Sequence, residues 1–194
     1  MAGWAIEVIG VQTGYPFGAY HYTDALGPSF FGAPITMIAA WITIFAYAHV
    51  LISQGSFASW QKIVCGSLLL VIADLLVDPV AVGPMALWTW HSHGTYYGIP
   101  ASNFLGWFLT GLFLFTTAIA KSPNHPIPLR SSLPGLTIIL FFFAIALMQS
   151  MTLPAIAGVL LVTIHGVLVF VHVSQSGPAE ETRLEACRKT SPGM

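Results

Sequence analysis

The sequence has 194 residues, of which 56% are hydrophobic and only 7% are charged, whereas a soluble globular domain has roughly 25% charged residues. This composition excludes an ordinary soluble enzyme and predicts a membrane protein. The formal net charge of −1 gives no basic excess, so nucleic acid is not an expected partner. The two cysteines, Cys65 in an apolar run and Cys187 in a polar one, form neither a disulfide framework nor a metal-ligand spacing.

The amino-terminal segment divides into an apolar stretch and a loop. Residues 1–12 are apolar but too short to cross about 30 Å of hydrocarbon, and they lack the basic region and cleavage site of a signal peptide. We therefore predict a partial helix there. Residues 13–34 combine glycines, prolines and three tyrosines, which favours a structured loop.

Five apolar runs have the length of a membrane-spanning helix. They lie at about residues 33–53, 60–78, 102–120, 133–150 and 153–173. A very short turn joins the last two, so these form an antiparallel pair. The pattern predicts an all-α polytopic membrane helix bundle, with about five transmembrane helices plus the partial amino-terminal helix, in a single membrane domain over residues 1–173. Residues 174–194 are polar and are predicted to be a disordered cytoplasmic tail.

The basic residues predict the orientation of the chain in the membrane. With the five predicted spans, all six fall on one side: Lys62, Lys121, Arg130, Arg183, Arg188 and Lys189. By the positive-inside rule this side is cytoplasmic, and the membrane is the plasma or inner membrane of the cell. The outer side then receives two loops, residues 13–34 and 79–101, together with the end of the second span. The sequence therefore groups these segments on one face of the membrane.

Two aspartates near the end of the second span are the main candidates for chemistry. Asp74 and Asp78 are four residues apart, so on a helix their side chains share one face, about one turn apart. Pro79 is expected to end the helix, which would place Asp78 at a helix carboxyl terminus. Burial, the helix dipole and the neighbouring carboxyl all disfavour charge there, so we expect one of the pair to stay protonated at neutral pH. The alternative is an inert pair near the headgroups.

Further candidates lie in the segments predicted for the outer side. Glu7 would reach a comparable depth if the partial helix ends at the same face, so a third carboxyl could converge on the site. The aromatic residues there either line the site or form an interfacial belt. They are Tyr15, Tyr20, Tyr22, Trp88, Trp90, Tyr96 and Tyr97.

The histidines suggest two other kinds of site. His91 and His93 would project to the same side of an extended segment, as metal ligands do, but with the lone His21 they are too few for the repeated histidine boxes of a membrane di-iron enzyme. We therefore predict no metal site. His49 and His172 lie near the cytoplasmic ends of their spans, where they could act as axial ligands of a haem. A histidine bonded to a neighbouring helix is the simpler interpretation.

Several uncommon strings occur together and in a characteristic order. They are TGYPFGAYHYTDALGP, FGAPITMIAAWITIFAYA, DLLVDPVAV and WTWHSHGTYYGIPASNFLGWFLT. Over about residues 7–110 the chain resembles the carotenoid-biosynthesis membrane proteins of bacteria and archaea, a family that includes hydratases of acyclic carotenoid end groups. Family members usually carry a further amino-terminal helix, and this chain begins partway into the segment before TGYPFG.

The resemblance implies that water is added across the terminal double bond of an acyclic carotenoid. A carboxylic acid would protonate the alkene and water would capture the tertiary carbocation, with no cofactor. Asp74 and Asp78 are then the expected proton donor and its partner.

The other site candidates would hold water, the donor or the substrate. Glu7, Asp24, His91, His93 and Asn103 are candidates for hydrogen bonds to the water or the donor. Candidates for contacts with the substrate are Tyr15, Tyr20, Trp88, Trp90, Tyr96 and Tyr97, the last four as an electron-rich lining for the cation.

The expected partners are a lipophilic carotenoid, water and membrane lipid, and other enzymes of the carotenoid pathway are candidate partners. Two other functional classes stay open at this stage. One is a carotenoid-binding or proton-coupled membrane transport protein, in which the same carboxyls bind or relay protons without catalysis. The other is a haem-binding electron carrier that uses His49 and His172.

Overall fold

The computed structural model describes residues 2–121 and 127–190 of the chain. Helices dominate this part, as the apolar runs predict. The helices are α1 (Ala2–Thr13), α2 (Thr36–Ser53), α3 (Ser59–Val82), α4 (Ala101–Lys121), α5 (Leu133–Met148) and α6 (Thr152–Thr190). The strands are β1 (Tyr20–Tyr22), β2 (Ser29–Phe30), β3 (Ala33–Pro34) and β4 (Trp88–Trp90). Two short 3-10 helices, Asp24–Leu26 and Leu129–Ser132, complete the element order.

Five of the helices are long and apolar enough to cross a membrane, which confirms the predicted fold class. These segments are Thr36–Ser53, Ser59–Val82, Ala101–Lys121, Leu129–Met148 and Thr152–Val171. The predicted partial amino-terminal helix is also present as α1. The helix α6 continues to Thr190. The division into a membrane domain over residues 1–173 and a disordered tail over residues 174–194 stays a prediction.

Helix α3 is the central element of the bundle, because it packs against α2, α4, α5 and α6. Glycines bring α3 and α4 unusually close together. A Cβ atom at Gly111 on α4 would lie 2.9 Å from the backbone Cα of Ser67 on α3, and one at Gly66 would lie 2.5 Å from the ring of Phe115. The side chains at the start of α4 can therefore reach those on α3.

The predicted end of the second span at Asp78 is wrong, because α3 passes through Pro79 and ends at Val82. Proline has no N–H for the carbonyl four residues earlier, which here belongs to Leu75. The Tyr96 hydroxyl donates to that carbonyl oxygen at 2.7 Å and so replaces the missing backbone donor. Asp78 consequently lies inside the helix, and the argument from the helix carboxyl terminus does not apply to it.

A short antiparallel ribbon joins the two loops that the sequence places on the same face of the membrane. Strand β1 pairs with β4 in the register Tyr20↔Trp90, His21↔Thr89 and Tyr22↔Trp88. We refer to this end of the bundle as the ribbon end. At the opposite end, Gln54 Nε2 after α2 donates to the Ile127 carbonyl oxygen before α5 at 3.0 Å. The basic residues at that end are Lys62 in the first turn of α3, Lys121 at the end of α4 and Arg130 in the second 3-10 helix.

Candidate active site

Two carboxyl groups and one amide form a buried unit between α3 and α4. Asp74 and Asp78 are only 1% and 3% exposed, one turn apart on α3. Asn103, near the start of α4 and 2% exposed, donates through Nδ2 to Asp74 Oδ2 at 2.7 Å and to Asp78 Oδ2 at 2.8 Å. The spacing of the aspartates predicts their shared face, and Asn103 was among the predicted hydrogen-bonding candidates. A single amide therefore holds both carboxyls.

The second oxygen of Asp74 is in a different environment from the first. Asp74 Oδ1 is buried and has no hydrogen-bond partner among the described residues. A buried carboxylate oxygen without a donor is costly, whereas a protonated oxygen in an apolar site costs much less. This atom is therefore suited to carry a proton.

Glu7 on α1 is a third buried carboxyl, and three side chains donate to it. The hydroxyls of Tyr20 and Tyr22 donate to Oε2 at 2.5 and 2.7 Å, and the Trp41 indole Nε1 donates to Oε1 at 2.8 Å. Burial raises the pKa of Glu7 above its ordinary value of 4.5, and the three hydrogen bonds oppose that shift. Burial and the adjacent Glu7 also raise the pKa of Tyr20 and of Tyr22, so both phenols stay protonated donors.

The three carboxyls line one cavity of about 450 Å³. Its other lining residues are mostly apolar and aromatic, and they come from α2, α3, α4, α5 and both loops of the ribbon end. They are Phe17, Tyr20, Tyr22, Leu26, Met37, Ala40, Trp41, Ile44, Ala73, Val77, Leu87, Trp88, Trp90, Asn103, Trp107, Thr137, Ile138, Phe141 and Phe142. A cavity of this size and composition suits an apolar ligand that meets a few polar groups.

The β1–β4 ribbon covers one end of this cavity because of the alternation of its side chains. Alternate residues of a strand point to opposite faces. Tyr20 and Tyr22 on β1, with Trp88 and Trp90 on β4, therefore share the face that lines the cavity. His21 and Thr89 lie on the other face, where both are exposed. The three-residue strands thus supply four aromatic side chains to the site.

Comparison with known proteins places the chain in a family. The family model for carotenoid biosynthesis proteins matches residues 1–172. The chain belongs to the carotenoid biosynthesis protein family. The bisanhydrobacterioruberin hydratase of Haloarcula japonica is 33% identical over 115 residues, which make up 56% of this chain and 38% of that protein. The match thus spans well under half of that relative's length. The comparison with solved structures gives no match.

The predicted site residues of this carotenoid biosynthesis protein fall into two groups. Those that line the cavity are Glu7, Tyr20, Asp74, Asp78, Trp88, Trp90 and Asn103. Those that lie outside its lining are Tyr15, Asp24, His91, His93, Tyr96 and Tyr97. Asp24 is exposed in a 3-10 helix, and Tyr15 is 78% exposed, so neither contacts the buried carboxyls. Tyr96 instead supports α3 through Leu75.

Two tryptophans of the cavity were missed by the sequence reasoning. The rings of Trp41 on α2 and Trp107 on α4 stack with centroids 4.3 Å apart and an interplanar angle of 18°. Trp107 follows Asn103 by four residues, so the helical period places both on one face of α4. That period could have identified Trp107, but not its contact with Trp41.

The described histidine side chains of this carotenoid biosynthesis protein lie outside the lining of the cavity that holds the carboxyls. His21 Nδ1 and His91 Nε2 are 3.0 Å apart, and His21 Nε2 is 2.9 Å from Thr89 Oγ1. The described residues contain no group of three or more His, Cys, Asp or Glu side chains placed to hold a metal ion. His49 stacks on Phe45, and the His172 side chain, the other proposed haem ligand, lies outside the described side chains.

Proposed function

We propose that this carotenoid biosynthesis protein is a hydratase that adds water across the terminal carbon–carbon double bond of an acyclic carotenoid end group. The Haloarcula japonica relative is named as a bisanhydrobacterioruberin hydratase, which supports this activity. The observation that carries the proposal is the Asp74–Asn103–Asp78 unit, which is buried on the wall of a mostly apolar cavity. Hydration of an alkene needs an acid that is protonated at neutral pH and positioned beside the double bond, and this unit is suited to that role.

The first step is transfer of a proton from Asp74 Oδ1 to the less substituted carbon of the terminal double bond. The π electrons form the new C–H bond, and the more substituted carbon becomes a tertiary carbocation. Two ionised carboxylates held by one neutral amide would be costly in this cavity, so the pair retains a proton. General acid catalysis by a positioned group is typically worth about 10²–10⁴-fold in rate.

The second step is capture of the carbocation by water. The water oxygen forms a bond to the tertiary carbon, and its extra proton passes to the Asp78 carboxylate, so the carboxyl pair regains the proton that Asp74 gave up. Asp78 suits this role because it lies one turn nearer the ribbon end than Asp74. One water is consumed for each reacted end, and the product is a tertiary alcohol. The overall reaction is redox-neutral, so no electron donor or acceptor is consumed.

The cavity walls protect the carbocation until water reaches it. The stacked rings of Trp41 and Trp107 present electron-rich faces, and aromatic faces attract cations by about 0.5–2 kcal/mol. Among the described lining residues, Glu7 is the one carboxyl besides Asp74 and Asp78 that could compete with water for the cation. Its two oxygens already accept three hydrogen bonds, which makes it a poor nucleophile.

The proposed location is the plasma or inner membrane of the cell, with the ribbon end outside and the carboxyl-terminal tail in the cytoplasm. The basic residues Lys62, Lys121 and Arg130 lie at the end opposite the ribbon. Positive charge of this kind is retained on the cytoplasmic side. The carboxyl pair then lies in the outer half of the membrane.

The test is expression of the chain in cells that accumulate an acyclic carotenoid, followed by mass analysis of the pigment. The parent chain should add the mass of one water per reacted end. Asp74→Asn should abolish the gain, and Asp78→Asn should reduce it strongly, because each keeps side-chain size but removes a transferable proton. The matched control is Asp24→Asn, the same chemical change at an exposed position outside the cavity; it should behave as the parent.

Two outcomes would contradict the proposal. If the double variant at Asp74 and Asp78, present in the membrane at the parent level, still hydrated the pigment at the parent rate, the aspartates would be structural. If the parent chain retained the pigment through purification but never changed its mass, the protein would be a carotenoid-binding or transport protein.

A further inference from the structure

The cavity is closed around the carboxyls and exposed along one helix. Its lining residues on α3, including Asp74 and Asp78, are buried or half-buried. Among the described lining residues, only Thr137 and Phe141 are exposed, and Phe141 is 51% exposed. Both lie on α5, one helical turn apart, so they form a single stripe. Side chains that line a cavity and are also exposed mark the place where it opens.

This opening lies within the membrane. Thr137 and Phe141 belong to the segment Leu129–Met148, which is apolar and long enough to span the bilayer, and they are several residues from either end of it. The adjacent wall is provided by α2, which packs against α5 and contributes Met37, Ala40 and Ile44 to the lining. An exposed residue in the middle of a spanning helix faces lipid rather than water. The cavity is therefore accessible to a molecule dissolved in the bilayer.

We infer that the reacting end of a long acyclic isoprenoid chain enters the cavity sideways from the bilayer, past Thr137 and Phe141, while the rest of the chain stays in lipid outside α5. This inference rests on the proposed function for the identity of the reacting chain. The cavity of about 450 Å³ accommodates an end group and a short part of the chain behind it. The described residues supply one Asp74–Asp78 pair to that cavity, so a molecule with two reactive ends must leave and turn round between the two additions.

A pair of tryptophan substitutions on α5 tests the opening. Thr137→Trp would fill the exposed stripe, whereas Leu140→Trp adds the same ring at a depth between those of Thr137 and Phe141, on an exposed residue outside the lining. We expect Thr137→Trp to slow hydration at low pigment concentration by about tenfold, the size of a typical overpacking penalty, through KM rather than kcat. Leu140→Trp should stay within about twofold of the parent, as lipid-facing changes usually do. Equal effects of the two variants would overturn the inference.

A second measurement does not depend on catalysis or on a bulky substitution. An acyclic isoprenoid with a photoactivatable diazirine on its chain, a few carbons behind the end group, is bound to the parent protein in membranes, irradiated, and the labelled residues are mapped by mass spectrometry. Labelling of Thr137 and Phe141 that exceeds labelling of Leu140 supports the lateral opening. Labelling confined to Leu140, or evenly spread over the exposed face of α5, overturns it.

The order of products gives an independent readout of the single site. A chain with two identical ends should first accumulate the singly hydrated product free in the membrane, and the doubly hydrated product should follow. Appearance of the doubly hydrated product without the intermediate would overturn the requirement to leave and turn round. Labelling at Thr137 and Phe141 in a parent chain that never hydrates pigment would instead refute the proposed function and leave the opening in place.

Discussion

Trp41 and Glu7, on different helices, are joined by a hydrogen bond of 2.8 Å from the indole Nε1 to Oε1. This bond joins α1 to α2, and the ring of the same Trp41 stacks on Trp107 of α4. Tyr20 and Tyr22 attach the ribbon to the same carboxyl. Glu7 thus fixes the position of three elements around the cavity.

Glu7→Gln should change how stability depends on pH. Burial raises the pKa of Glu7 in the folded protein above the ordinary value of 4.5, so the folded protein holds this proton more tightly than the unfolded chain. Protonated Glu7 therefore adds its full contribution to stability at pH values below 4.5, and that contribution is lost as the pH rises through the folded pKa. The stability of the parent relative to Glu7→Gln should therefore fall as pH rises above 4.5. Thermal unfolding of both proteins in detergent, followed by circular dichroism across this range, measures the difference. A difference that stays constant with pH would contradict the expectation.

Asn103→Leu should disable the site, and it should also lower stability because two buried carboxyls lose their donor. Leucine has a similar size, but it offers no N–H to Asp74 or Asp78, and a catalytic group that loses its positioning by about 1 Å can lose about 10²-fold in rate. The measurement is the amount of hydrated pigment at equal protein level. The matched control is Thr110→Val, a change of buried polarity on the same helix at a residue outside the cavity lining. If Asn103→Leu hydrated at the parent rate, the shared amide would have no part in the reaction.

Tyr96→Phe should destabilise the protein because the Leu75 carbonyl loses its donor. A lost hydrogen bond of this kind costs about 1 kcal/mol, which lowers the Tm by about 2–4 °C in a chain of this size. Tyr97→Phe is the matched control, since it removes a hydroxyl from a neighbouring residue that is 41% exposed.

Pro79→Ala supplies a stringent test of the same contact. Alanine at this position restores an N–H for the Leu75 carbonyl. In the Pro79→Ala protein, the decrease in Tm caused by Tyr96→Phe should therefore become smaller and approach the decrease caused by Tyr97→Phe. An undiminished cost would mean that Tyr96 stabilises the fold in some other way.

Reporter fusions test the proposed orientation. A reporter joined after Thr190 should be active in the cytoplasm, and one inserted near Ser92, beyond the ribbon, should be active outside. The reason is the common location of the basic connections at the end opposite the ribbon. Insertion of the same reporter near Lys62 serves as a cytoplasmic control. Signals from one compartment at both test positions would contradict an odd number of spans between the loop that carries Ser92 and the tail.

The sequence predicted the features of this fold that depend on a single element. Each apolar run has the length of a spanning helix, so the count of five follows from the runs alone. The four-residue spacing of Asp74 and Asp78 requires a common face whether or not the helix stops at Pro79. The error at Pro79 has a non-local cause, because the residue that compensates for the proline, Tyr96, lies outside α3 in the loop that follows it.

Contacts between distant elements were harder to predict. The pairing of Tyr20 to Tyr22 with Trp88 to Trp90 joins two three-residue strands, which are too short to give a periodic pattern that can be distinguished from a loop. The stack of Trp41 on Trp107 depends on how α2 and α4 pack, and apolar helices in a membrane are hydrophobic on all sides, so hydrophobicity does not identify the inward face.

The close approach of α3 and α4 at Gly111 means that a substitution outside the cavity lining can abolish activity. Any side chain at position 111 would bring its Cβ to 2.9 Å from the Ser67 backbone, so the two helices would have to separate. Asn103 reaches across the same gap by hydrogen bonds of only 2.7 and 2.8 Å, and even a few tenths of an ångström would lengthen them. In a saturation mutagenesis screen scored by hydrated pigment, substitutions at Gly111 should therefore be tolerated as poorly as substitutions at Asp74 and Asp78. Gly111 is not among the residues that line the cavity, so the lining alone would not identify it.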